Sequence, residues 1–79
     1  MILTEEEIKE WNVPRERLNE KYLNTLTKQI LPYDEIVEMV YIDGSWETEW
    51  NFASPVEEVD RRIKIGFYIL VEDKKAVVK

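Results

Sequence analysis

Glu38, Asp43, Glu47 and Glu49 are the residues of this chain whose types and spacing could do chemistry, and Trp46 sits among them. Carboxylates held side by side can act as an acid/base pair, bind a cation, or face a basic partner. The first use finds little support. The chain has no His and no Cys, which removes the commonest general base and the commonest strong nucleophile. Two glutamates on a flat strand face would have no pocket around them, so an enzyme is not expected. Metal binding is no better served. The usual zinc ligands are missing, and Asp43-Gly44 followed by Glu47 and Glu49 lacks the ligand spacing of a calcium loop. Gly44 and Gly66 are the only glycines, too few for a phosphate-cradling loop, and no cofactor is expected. What remains is recognition.

The charge distribution says what kind. Between Lys28 and Arg61 there is no basic residue, while nine acids occur: Asp34, Glu35, Glu38, Asp43, Glu47, Glu49, Glu57, Glu58 and Asp60. Net charge is −6, and the segment from Gln29 to Asp60 alone carries −9. A field concentrated in this way steers a basic partner toward one part of the molecule. Direct nucleic-acid binding is not expected, because it relies on Lys and Arg neutralising phosphates. Carboxylates along a rigid surface can instead imitate a phosphate row. In size and charge the chain is comparable with small acidic inhibitors encoded by phages and mobile elements. The expectation is therefore an inhibitor or modulator of a basic, nucleic-acid-handling protein, with Glu38, Asp43, Glu47, Glu49 and Trp46 as the contact residues. Trp46 is the expected anchor because Trp is enriched at interface hot spots, whereas Trp50 is expected in the core.

The elements that must position these residues read as follows. Thr4-Glu5-Glu6-Glu7 is a capping box, and Leu3 with Ile8 can staple the entry to a helix over 5–11. Asn12-Val13-Pro14 breaks it, and Pro14 suits the first position of a second helix over 14–30, in which Leu18, Tyr22, Leu26 and Ile30 recur every fourth residue. From Glu35 the period becomes two, and Asp43-Gly44 reads as the loop of a hairpin over 35–52. In that register Glu38 faces Glu49, Tyr41 faces Trp46 and Val37 faces Trp50. Facing glutamates repel, so the acidic stripe is either presented to a partner or neutralised within the sheet, with Arg62 and Lys64 on the next strand pairing with Glu47 and Glu49. Pro55 opens a helical turn to about Asp60; a longer helix from Pro55 to Leu70 also fits the pattern. Alternation of Ile63, Ile65, Phe67, Ile69 and Val71 favours a second hairpin over 62–78. The expected fold is α+β, two N-terminal helices packed on a four-stranded antiparallel sheet of two hairpins.

Residues 1–79 read as a single small acidic domain with a thin core. Disulfide and zinc staples are closed to it, so large aromatic side chains or a homodimer must compensate. No leader-like segment is visible, the longest apolar run (Phe67 to Val71) is too short to span a bilayer, and a cytoplasmic location without membrane contact is the expectation. Two rival functions follow from the same residues. One is a protein–protein adaptor or small subunit using Ile36, Val40 and Ile42 as a patch. The other is a winged-helix DNA-binding regulator, whose outline of helix, break, helix and hairpin is present but whose wing would be acidic.

Overall fold

The computed structural model describes residues 2–71. In chain order the elements are α1 (Glu5–Trp11), a 3-10 turn (Arg15–Arg17), β1 (Lys21–Asn24), β2 (Ile30–Pro32), α2 (Tyr33–Asp43), α3 (Ser45–Thr48), α4 (Pro55–Lys64) and β3 (Tyr68–Val71). The strands make one antiparallel sheet in the order β2-β1-β3. The class is α+β, but the four-stranded sheet of two hairpins is not formed.

Helix α1 stands where its capping box placed it. Thr4 accepts a hydrogen bond from the Glu7 N–H at 3.1 Å, and Glu7 accepts one from the Thr4 N–H at 3.1 Å. Asn12, at φ 57°, ends the helix, a conformation Asn tolerates better than most side chains. Leu3 and Ile8 are both buried in the core.

The helix expected over 14–30 is replaced by the 3-10 turn and the β1–β2 hairpin. The cause is local. Asn24 folds its side chain onto the backbone, where Oδ1 accepts from the N–H groups of Leu26 at 2.9 Å and Thr27 at 3.0 Å. Such a turn competes directly with helix hydrogen bonding. Lys28 then adopts φ 69° to close the loop, and Asn24 N–H bonds back to the Gln29 carbonyl at 2.8 Å. The four-residue period was coincidental: Tyr22 is buried, while Leu26 is 76 % exposed. Pro32 is tolerated because β2 lies at the sheet edge, where no ladder needs its missing N–H.

The hairpin expected over 35–52 is also absent; its residues form α2, α3 and a loop. Tyr33, Ile36, Val37 and Val40 make one helical stripe, and all four are buried. Gly44, at φ 82°, ends α2 and begins α3, so the Asp43-Gly44 signal is a turn between helices. The register that opposed Glu38 to Glu49 does not exist. Helix α4 runs on past Asp60 to Lys64 and stops before Gly66, at φ 88°. The second hairpin is thus corrected at its start, where 62–64 are helical, and β3 begins at Tyr68. Its return strand, expected near 76–78, falls outside the described residues.

Helices α2 and α4 cover the inner face of the sheet. Tyr22, Leu31 and Tyr68 point into a core shared with Ile8, Trp11, the α2 stripe, Trp46, Val56 and Val59. Full burial of each large apolar side chain contributes about 2 kcal/mol. The outer face carries Lys21, Leu23, Ile30, Pro32, Ile69 and Val71, by strand alternation. The alternation of 63–71 was therefore legible only in part: the inward residue is Tyr68, and Ile69 faces out. No helix of the described residues is long and apolar enough to cross a membrane.

Candidate functional site

The five predicted contact residues fall on α2, α3 and the residue after α3, in two different environments. Glu47 and Glu49 are exposed. Glu38 is half-buried on α2, with Oε1 enclosed and without a hydrogen-bond partner among the described residues. Asp43 is already engaged: Arg62 donates to its Oδ2 at 3.2 Å, and Ser45 donates to the same oxygen at 3.4 Å. The structure thus separates Glu47 and Glu49, which are exposed, from Asp43, which is engaged by Arg62 and Ser45, and from Glu38, which is half-buried with one oxygen enclosed.

The tryptophans exchange the places expected of them. Trp46 is only 9 % exposed and stacks near Tyr41, whose ring also lies 4.8 Å from that of Trp11. It belongs to the core because α3 is a helical turn folded between α2 and α4, not a strand tip. Trp50 is 43 % exposed, with Phe52 stacked beside it and the Arg61 guanidinium 4.2 Å from its ring centroid. Of the two tryptophans in the acidic segment, Trp50 and not Trp46 is exposed.

Two ionic clusters fix the surroundings. Glu58 is 1 % exposed and accepts from Arg61 at 2.8 Å and 3.0 Å and from Arg62 at 2.7 Å. Burial pushes its pKa up, but the hydrogen bonds and charges of the two arginines outweigh that and hold it below the usual carboxylate range. Arg62 therefore joins α4 to the α2–α3 junction, instead of pairing with Glu47 or Glu49 as the strand arrangement implied. The second cluster centres on Arg17, which lies 4.5 Å from the Tyr33 ring centroid and reaches Glu20 and Asp60, both at 3.2 Å, and the Tyr22 hydroxyl. Burial disfavours the Arg17 charge, yet these partners raise its pKa above the ordinary arginine value. Burial also raises the pKa of the Tyr33 phenol.

All four arginines are consequently held by carboxylates: Arg15 pairs with Glu5 at 2.7 Å, and Arg17, Arg61 and Arg62 as described. Of the nine acids from Asp34 to Asp60, Asp43, Glu58 and Asp60 are ion-paired. The other six form no ion pair among the described residues, and Glu47, Glu49 and Glu57 among them are exposed. Sequence reasoning missed Glu58, Arg17 and the Trp50–Arg61 stack. The i, i+3 and i, i+4 spacing of Glu58 with Arg61 and Arg62 was the available signal, and it becomes visible only once 55–64 is read as a helix. The adaptor patch is divided as well: Ile36 and Val40 are core, and Ile42 alone of the three is exposed. The winged-helix outline does not survive, since 14–30 is not a helix and 35–52 is not a hairpin. Among the described residues no group of acids is arranged to hold a metal ion. Comparison with protein families, with curated proteins and with solved structures found no match to this chain.

Proposed function

We propose that this chain acts by binding, and that it inhibits or modulates a basic, nucleic-acid-handling protein through its acidic helical layer. The observation that carries the reading is the surplus of carboxylate in that layer. Helices α2 to α4 and their connections hold nine acids, of which six enter no ion pair among the described residues. Glu47 and Glu49 are exposed and immediately precede Trp50 in the chain at positions −3 and −1, and Trp50 supplies an exposed aromatic anchor. The arginines that would serve a phosphate-binding surface are committed to carboxylates, which favours a protein partner over nucleic acid.

The test is charge reversal at positions that do not support the fold. Glu47→Lys with Glu49→Lys should abolish capture of a basic protein from a lysate of the source organism while leaving the circular dichroism unchanged. Capture by the parent should weaken steeply between low and moderate ionic strength, as exposed charge pairs do. Capture of the same protein by the reversed variant, at the same salt, overturns the reading. The adaptor reading has its own observation in the exposed apolar outer face of the sheet.

A further inference from the structure

Trp50 keeps 43 % of its surface exposed with the Arg61 guanidinium and Phe52 already against it. We propose that the basic partner is recognised there through an arginine, whose guanidinium stacks on the open part of the Trp50 ring and bonds through its edge to Glu49. This rests on the acidic-surface reading and names the side chain that the surface selects.

The chain contains its own example of the contact. The Arg61 guanidinium carbon lies 4.2 Å from the Trp50 ring centroid, while Nε and Nη2 donate to the two carboxylate oxygens of Glu58 at 2.8 Å and 3.0 Å. One side chain thus meets the indole with its face and a carboxylate with its edge, which a planar, weakly hydrated cation can do. A lysine ammonium has no flat face and holds its water more tightly. Glu58 is buried and grips Arg61 with both oxygens, so Arg61 stays in place when a second cation arrives. Glu49 offers that second cation a carboxylate: it is exposed and forms no ion pair among the described residues. Its charge also reaches the stack. The Glu58 hydrogen bond is the main cause that raises the Arg61 pKa, and the Glu49 carboxylate adds to the rise.

The ring is presented by a fixed backbone. The N–H groups of Glu49 and Trp50 bond to the Ser45 carbonyl at 2.9 Å and 3.3 Å, and the Phe52 N–H bonds to the Trp46 carbonyl at 2.7 Å. An anchor ordered before its partner arrives lowers the cost of binding. Charge selects the occupant. Asp43, Glu47, Glu49 and Glu58 are set against Arg61 and Arg62 in this part of the chain, so carboxylates exceed guanidiniums by two. A partner arginine is matched by that excess. A nucleic-acid base stacked on the same ring would bring its phosphate against it.

The experiment titrates the intact chain with two synthetic peptides, in which three arginines or three lysines alternate with glycine, and follows the tryptophan indole N–H signals by NMR. The arginine peptide should bind about fivefold more tightly than the lysine peptide and shift the Trp50 indole more than those of Trp11 and Trp46. Trp50→Leu keeps both carboxylates and should reduce the arginine peptide to the affinity of the lysine peptide, with circular dichroism unchanged. Glu49→Gln should weaken the arginine peptide more than the lysine peptide. A preference for arginine that persists in Trp50→Leu, a largest shift at Trp11 or Trp46, or absence of shifts at millimolar arginine peptide would each overturn the proposal. Equal affinity of the parent for the two peptides, abolished by Glu47→Lys with Glu49→Lys, would overturn the stacking contact and leave the acidic-surface reading standing.

Discussion

Burying a carboxylate is unfavourable unless its charge is matched, and Glu58 meets that condition with two arginines donating to both of its oxygens. Removing the charge while keeping the shape leaves Arg61 and Arg62 facing a neutral amide. Glu58→Gln is expected to lower unfolding stability at pH 7 by about 3 kcal/mol, measured by urea denaturation. The pH dependence follows from the direction of the shift. The folded-state pKa of Glu58 lies below its ordinary value, so its contribution is fully present above about pH 4.3, the unfolded carboxylate value, and is lost as pH falls through the folded one. The difference between parent and variant should therefore shrink in acid. A difference that stays constant from pH 7 to pH 3 would show that the ion cluster is not its source. At this scale the sequence was informative about composition and silent about partnership: Arg62 was expected opposite Glu47 and Glu49, and it serves Glu58 and Asp43.

At the scale of elements, the errors have one physical origin. Short apolar runs satisfy periods of both two and 3.6, and β-branched residues bias the reading toward strand. In 33–43, Ile36, Val37, Val40 and Ile42 gave that bias, while Pro32 before the segment, Asp34 and Glu35 in its first turn and Gly44 after it are helix boundary signals. The boundary signals were the better guide, because capping and backbone geometry act locally whereas alternation must be rewarded by a partner strand. In 14–30 the reverse happened: a four-residue period suggested a helix, and Asn24 turned the chain instead. That difference has a test of opposite sign. In a solvent-facing helix Asn24→Ala would stabilise, since Ala is the better helix former. In the hairpin it removes the acceptor of two backbone N–H groups and should destabilise by about 2 kcal/mol in thermal or urea unfolding. A stabilised Asn24→Ala protein is incompatible with β1 and β2 as described.

For the whole molecule, the consequence is one core fed by every helix and by the inner face of the sheet. A domain of this size has a total stability of about 5 kcal/mol. Ile36→Ala, at a fully buried position in the centre of that core, should remove about 3 kcal/mol of it. Because the tryptophans report on the helical layer and circular dichroism reports on all elements, the two signals should still unfold together in urea. Separate midpoints would mean that the sheet and the helical layer are not one cooperative unit. The same architecture divides the surface, with carboxylates in the helical layer and an apolar face with a single lysine on the strands. By itself the amino-acid sequence determined the acidic segment, the capped first helix, the lack of His and Cys, and the breaks at Asn12 and Gly44. Only the tertiary structure decided which side of each apolar pattern is buried. It enclosed Trp46, exposed Trp50, and turned Ile69 outward. The reason is that a period says which residues share a face, whereas burial of that face depends on what the rest of the chain brings against it.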